Sequence, residues 1–194
     1  MRSLLTFVAM FVAALVLGLG SGWYMIVEGS PLTTARYGPW SVWLAAGNPK
    51  ADPYTMAHVA RSGRLPITST NAMYFFARAD DEGEPLRGQC EYEISGGRFE
   101  GNWWSLAVYD LEGRLIPNKA ERHSFNKSEA VSNTDGSFRV VISHSARSGN
   151  WLPSGEARRM QLVLRVFGPH PTSTSGRPVT DDWTLPEIRR TRCE

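Results

Sequence analysis

The side chains with the most chemical reach fall between residues 118 and 153: Arg122, His123 and Asn126 in one stretch, His144 at the end of a strand-like run, and Asn150 and Trp151 just beyond it. An aromatic ring beside Arg, His and Asn suits a sugar or a carboxylate ligand, because the ring covers an apolar face while the polar groups fix orientation. That chemistry requires the loops carrying these residues to converge on one rim. A plainer reading carries more weight. Asn118, Asn126 and Asn150 satisfy loop backbones, and Trp151 with Pro153 closes a core, the ordinary roles of Asn in turns and Trp in interiors.

Other chemistries fare worse. The four histidines, His58, His123, His144 and His170, show none of the short spacings of zinc sites, so no metal and no cofactor are expected. One arrangement stays open, in which His123 and His144 converge with an acid such as Glu121. No Gly-x-Ser-x-Gly elbow occurs, and Ser124 beside His123, or Ser145 beside His144, is adjacency in sequence rather than a triad's geometry. Asp80 and Asp81, Glu91 and Glu93, and Asp181 and Asp182 read as turn or solvent-face charges, not as the paired carboxylates of glycoside hydrolysis. The formal net charge is +2, and Arg2 contributes one of those charges, so the rest of the chain has no basic face to attract nucleic acid. No activity is assigned, and a non-catalytic role is preferred.

The amino-terminal end sets the address. After Arg2 no charged side chain occurs until Glu28, and an apolar run of about 25 residues spans roughly 37 Å as a helix, enough for the ~30 Å hydrocarbon core. A cleaved signal would carry a shorter apolar run and a small-x-small site, whereas here Trp23 and Tyr24 follow, the aromatics that settle at a membrane interface. The expectation is a single-pass anchor over 1–27, in contact with membrane lipid. Arg2 places the amino terminus in the cytoplasm by the positive-inside rule, and hence a domain in the periplasm at a bacterial inner membrane. Gly18 and Gly22 form a small-x-x-x-small step through which a second helix could approach, though small residues are common in any membrane helix.

Two cysteines are present, Cys90 and Cys193. In an oxidising compartment they would form a bridge that pins the carboxyl terminus to the sheet; the alternative is two free thiols, one buried and one exposed.

The elements that must position these residues are mainly strands. In Met160–Phe167 alternate residues Met160, Leu162, Leu164 and Val166 make one apolar face, the period of two expected of a sheet. Ala72–Ala79, Gln89–Ser95, Trp103–Tyr109 and Phe138–His144 read as further strands, and Asp80–Gly83, Asp110–Gly113 and Asp135–Gly136 as turns. Short strands with close turns predict an antiparallel β-sandwich, jelly-roll-like, with one or two short helices. One helix is expected after Asp52, with Asp52 as cap, Pro53 at its first position and Gly63 past its end. Its Met56, Val59 and Ala60 stripe is expected to lie on the sheet, with His58 at the surface or an edge. Residues 28–39 read as a stalk, 40–194 as the domain, and Trp183–Ile188 as an irregular tail.

The strings Asn102–Asn118, Arg122–Ser124, Asp135–Ser137, Asn150–Pro153 and Leu164–Pro169 occur in the order found in one family, and together they resemble domain-of-unknown-function family 1214 over roughly Trp40 to Pro186. The resemblance implies a β-sandwich fold. It also implies a partner, because in that family the domain often follows one of family 1254, for which this chain leaves no room. The expected function is therefore a membrane-anchored binding or assembly subunit of the cell envelope, paired with a second anchored protein of the 1254 type. The alternative is an envelope enzyme of hydrolase type acting on carbohydrate or lipid-linked substrate at the loop rim.

Overall fold

The computed structural model describes residues 2–63, 67–68, 71–97, 103–168 and 184–193. Helix α1 (Arg2–Val27) runs for 26 residues and buries none of its side chains against the protein. It is long and apolar enough to cross a membrane. Gly18 and Gly22 lie on its open surface, where an added Cβ would meet nothing within 4 Å.

Strand β1 (Thr34–Tyr37), which falls among residues 28–39, pairs with β2 (Trp40–Trp43) at the start of the expected domain. The reason is local hydrogen bonding. Ser30 and Thr33 close a turn after α1, with the Thr33 and Thr34 amides donating to the Ser30 carbonyl, and the Leu44 amide then donates to the Thr33 carbonyl. The domain's first strand thus begins almost directly after the helix.

Helix α2 (Pro53–Ser62) follows the expected punctuation: Asp52 Oδ1 accepts from the Tyr54 and Thr55 amides, and Gly63 closes the helix at φ 62°. Its orientation differs from expectation. The covered side carries Thr55, fully buried, and His58, whose ring stacks on Trp43 with centroids 3.9 Å apart. Met56 and Ala60 are exposed, so the apolar stripe does not lie on the sheet. The Thr55 hydroxyl donates to Asp52 Oδ2, which lets a polar residue take the buried position without an orphaned group.

The remaining strands are β3 (Ala72–Ala77), β4 (Cys90–Gly96), β5 (Trp103–Tyr109), β6 (Ser124–Asn126), β7 (Phe138–Ser143), β8 (Trp151–Pro153), β9 (Gln161–Phe167) and β10 (Glu187–Cys193). Among the described residues they form a six-stranded sheet in the order β1-β2-β3-β9-β5-β6 and a four-stranded sheet in the order β10-β4-β7-β8. The sheets share one core in a sandwich-like arrangement. Trp40, Phe75, Leu106 and Leu164 from the first meet Tyr92, Ile94, Val140 and Ile188 from the second, and Trp104 stacks on Phe138 at 4.4 Å between centroids. Every pairing is antiparallel except β7 with β8, which are parallel. Their connection is short because Asn150 fastens it. The Val141 amide donates to the Asn150 carbonyl, and the Asn150 side-chain amide donates to the Arg139 and Val131 carbonyls.

The expected irregular tail is corrected from Glu187 onward, where the chain forms β10 antiparallel to β4; Trp183 lies outside the described residues. Charge explains the pairing. Glu93 meets Arg139 of β7 and Arg189 of β10, and Glu91 meets Arg147 and, on β10, Arg192, so the acids read as solvent-face charges are largely covered partners of arginines on both sides of β4. Cys90 and Cys193 are bridged across the same two strands. Trp40 adds a further tie, its indole N–H donating to the Pro186 carbonyl at 2.7 Å.

Candidate functional site

Strand β9 is central in its sheet, flanked by β3 and β5, and this places Arg165 in the middle of the sheet's outer face. Its guanidinium donates to the Tyr109 hydroxyl at 2.7 Å and lies 5.5 Å from the Tyr109 ring centroid and 6.0 Å from that of Tyr74. The cation is therefore held between two aromatic faces, a geometry that fixes a charge without neutralising it.

Beside it the chain between β5 and β6 folds back over the sheet edge. The Asp110–Gly113 turn is set by Asp110 Oδ1 accepting from the Arg114 amide, and Asn118 then organises the second half of the loop. Its side-chain amide nitrogen reaches the Ile116 and Arg122 carbonyls and lies 3.2 Å from His123 Nδ1, while its Oδ1 accepts from the Arg122 amide. Glu121, at φ 49°, has the only positive φ of any non-glycine residue among those described. Backbone held in that region is strained and persists where the surroundings dictate it.

These parts enclose an open groove of about 710 Å³, lined among others by Tyr109, Glu121, Arg122, His123, Glu129 and Arg165. It presents two cations, two carboxylates and an imidazole. Arg122 is steadied from below, with Nη1 donating to the Trp151 carbonyl at 3.2 Å and the guanidinium 5.5 Å from the Phe125 ring.

The candidates read from sequence are only partly brought together. Arg122 and His123 share the groove, and Trp151 touches Arg122 through its carbonyl while its indole donates to the Ser143 carbonyl. His144 sits on the other sheet, exposed, its Nδ1 2.9 Å from the Gly155 carbonyl oxygen. Asn126 Oδ1 accepts from the Ser128 and Glu129 amides, and Asn150 Oδ1 accepts from the Val131 amide, so both carboxamides hold backbone, as the plainer reading has it. Among the described residues no three of His, Cys, Asp and Glu gather as a metal-holding group. Sequence reasoning missed Arg165, Tyr109 and Tyr74. Arg165 stands on the outer face of the alternating strand Met160–Phe167, where the sequence carries a signal, whereas Tyr74 and Tyr109 come from β3 and β5 and meet it only through the sheet pairing.

Residues 71–171, which contain every residue of the groove, match the family described as Protein of unknown function (DUF1214). The chain belongs to this family. As a DUF1214 member it is similar to the VPA0106 protein from Vibrio parahaemolyticus, at 19% identity and a TM-score of 0.57, over 74% of this chain and 36% of that one. It also aligns with a putative uncharacterized protein from Burkholderia cenocepacia, at 17% identity and a TM-score of 0.45, over 89% of this chain and 39% of that one. The DUF1214 chain thus spans about a third of the length of the Vibrio protein. No curated protein matches it. The likeness to the Vibrio protein concerns the fold.

Proposed function

We propose that this DUF1214 chain is a membrane-anchored binding and assembly subunit of the bacterial cell envelope, with its β-sandwich in the periplasm and a second anchored protein carrying a 1254-type domain as its partner. The observation that carries the reading is the groove on the six-stranded sheet. Its charges are oriented by bonds to the protein itself, Arg165 by Tyr109 and Arg122 by Trp151, and so are preorganised to meet a complementary surface. An α1 helix with no buried residue supports attachment to a bilayer. The Cys90–Cys193 bridge supports an oxidising compartment. The match to 36% of the Vibrio chain is in keeping with a unit that works beside a larger remainder.

Purification from membranes in mild detergent tests this. Wild-type protein should carry one anchored 1254-type protein in near-stoichiometric amount, and Arg165→Glu should lose it while keeping a native melting transition. Recovery of the wild-type protein alone would overturn the reading.

A second reading has one specific observation behind it: the strained Glu121 stands next to His123 on the groove wall. A carboxylate and an imidazole on one wall are the parts of acid–base chemistry on a carbohydrate or lipid-linked substrate. Saccharide or lipid fragments retained by the wild-type protein and lost in His123→Ala would favour it.

A further inference from the structure

Helix α2 has an apolar side that the sheets do not use. Met56, Val59 and Ala60, together with Ala45, Pro49 and Ala51, line an open groove of about 430 Å³. Met56 is 48% exposed and Tyr54 40%. The position of α2 along α1 bears directly on what covers that side. His58 Nδ1 lies 2.8 Å from the Ile26 carbonyl oxygen and must donate, since the carbonyl only accepts, and the Arg61 guanidinium lies 4.9 Å from the Trp23 ring centroid. Both contacts are at the carboxyl-terminal end of the spanning helix. From Arg2 to Trp23 the helix rises about 31 Å, close to the hydrocarbon thickness, so Trp23 sits at headgroup level and α2 is fixed at the same depth.

We propose that α2 is a membrane-surface element, its Met56 and Ala60 side inserted at the boundary between headgroups and acyl chains, with a lipid surface as its ligand. Lys50, exposed and next in sequence to the groove residues Pro49 and Ala51, suits anionic headgroups. The nearby acids are Glu28, at the end of α1, and Asp52, whose carboxylate is occupied in capping α2. Such a contact would fix the tilt of the sandwich on the bilayer as well as tether it. The inference rests on the reading of α1 as a membrane anchor.

Single cysteines at Leu17→Cys, Met56→Cys and Ser128→Cys, each carrying an environment-sensitive fluorophore with Cys90–Cys193 kept oxidised, test it in full-length protein reconstituted in phosphatidylcholine–phosphatidylglycerol vesicles. Ser128 is the reference, on the loop beyond β6 at the far edge of the sheet. With acyl-chain spin-labelled lipid, labels at positions 17 and 56 should both be quenched about twofold or more relative to position 128. Quenching at 17 without quenching at 56 would overturn the inference and leave the anchor standing. Quenching at neither would overturn both.

Discussion

Asn150 shows how a residue that looks chemical can be structural. It is 7% exposed, and its carboxamide meets the Val131 amide, the Val131 carbonyl and the Arg139 carbonyl in three part-buried hydrogen bonds. Asn150→Ala is expected to destabilise the domain by roughly 2 to 3 kcal/mol, because three hydrogen bonds of about 1 kcal/mol each are lost. Urea unfolding checks this, and a loss below about 0.5 kcal/mol would show that water replaces the side chain. Asp52 gives a pH signature. Burial favours its neutral form, but the Thr55 hydroxyl and the Thr55 and Tyr54 amides outweigh burial and hold the carboxyl below its ordinary 3.8. A lowered folded value means that the cap's stabilisation is present above 3.8 and is lost as pH falls through the folded value. Asp52→Ala should cost about 1 kcal/mol at pH 7, whereas Asp52→Asn should keep most of the cap and flatten the acid limb of stability against pH. An unchanged acid limb in Asp52→Asn would contradict the assignment.

Strands β4 and β10 are the pair on which the sandwich's closure depends. The disulfide joins residues 103 apart, and a loop of that length gives roughly 4 to 5 kcal/mol by constraining the unfolded chain. Cys193→Ser, or reduction of the wild type, should lower stability by an amount of that order, measured by denaturant titration with and without reductant. Insensitivity to reductant would mean that the Glu91 and Glu93 ion pairs and the backbone ladder suffice. The same strand shows where the sequence stops being readable. Buried strands announce themselves through alternating apolar residues, as Leu162, Leu164 and Val166 do, and the helix after Asp52 through its cap and its glycine. Glu187–Cys193 has one buried apolar residue, Ile188, and owes its place to charges on β4 and to the Asp81 carboxylate accepting the Ile188 amide. Those partners lie about a hundred residues away, and no local pattern encodes them. The three-residue β6 is equally silent, because its pairing follows from the loop that Asn118 folds.

At the scale of the whole molecule, fold class and the membrane-length helix were legible, since each rests on local hydrophobic pattern. The candidate groove was half legible. Arg122 and His123 are neighbours in sequence, but Tyr109 and Arg165 come from β5 and β9, and only the strand order brings them together. Within residues 28–39 a hydroxyl-rich turn carries the chain from α1 into β1, a local arrangement that polar composition alone does not specify. The groove lies at the β9–β5–β6 side of its sheet and α2 beside α1, so the proposed partner binding and the proposed membrane contact involve different residues. Arg165→Glu should abolish partner recovery without releasing the protein from membranes. Replacing Val12–Leu19 in α1 by a polar sequence should make membrane association depend on the anchored partner, so that only the combination with Arg165→Glu releases the protein in membrane fractionation. Both rest on one claim, that the sandwich is tethered to a membrane on its outer side. The direct test is proteolysis of spheroplasts followed by alkaline extraction of the membranes. Digestion of the sandwich in intact spheroplasts, with undigested protein staying in the membrane pellet at high pH, is the expected result. Full protection until the membrane is lysed, or release of the protein by alkali, would contradict it.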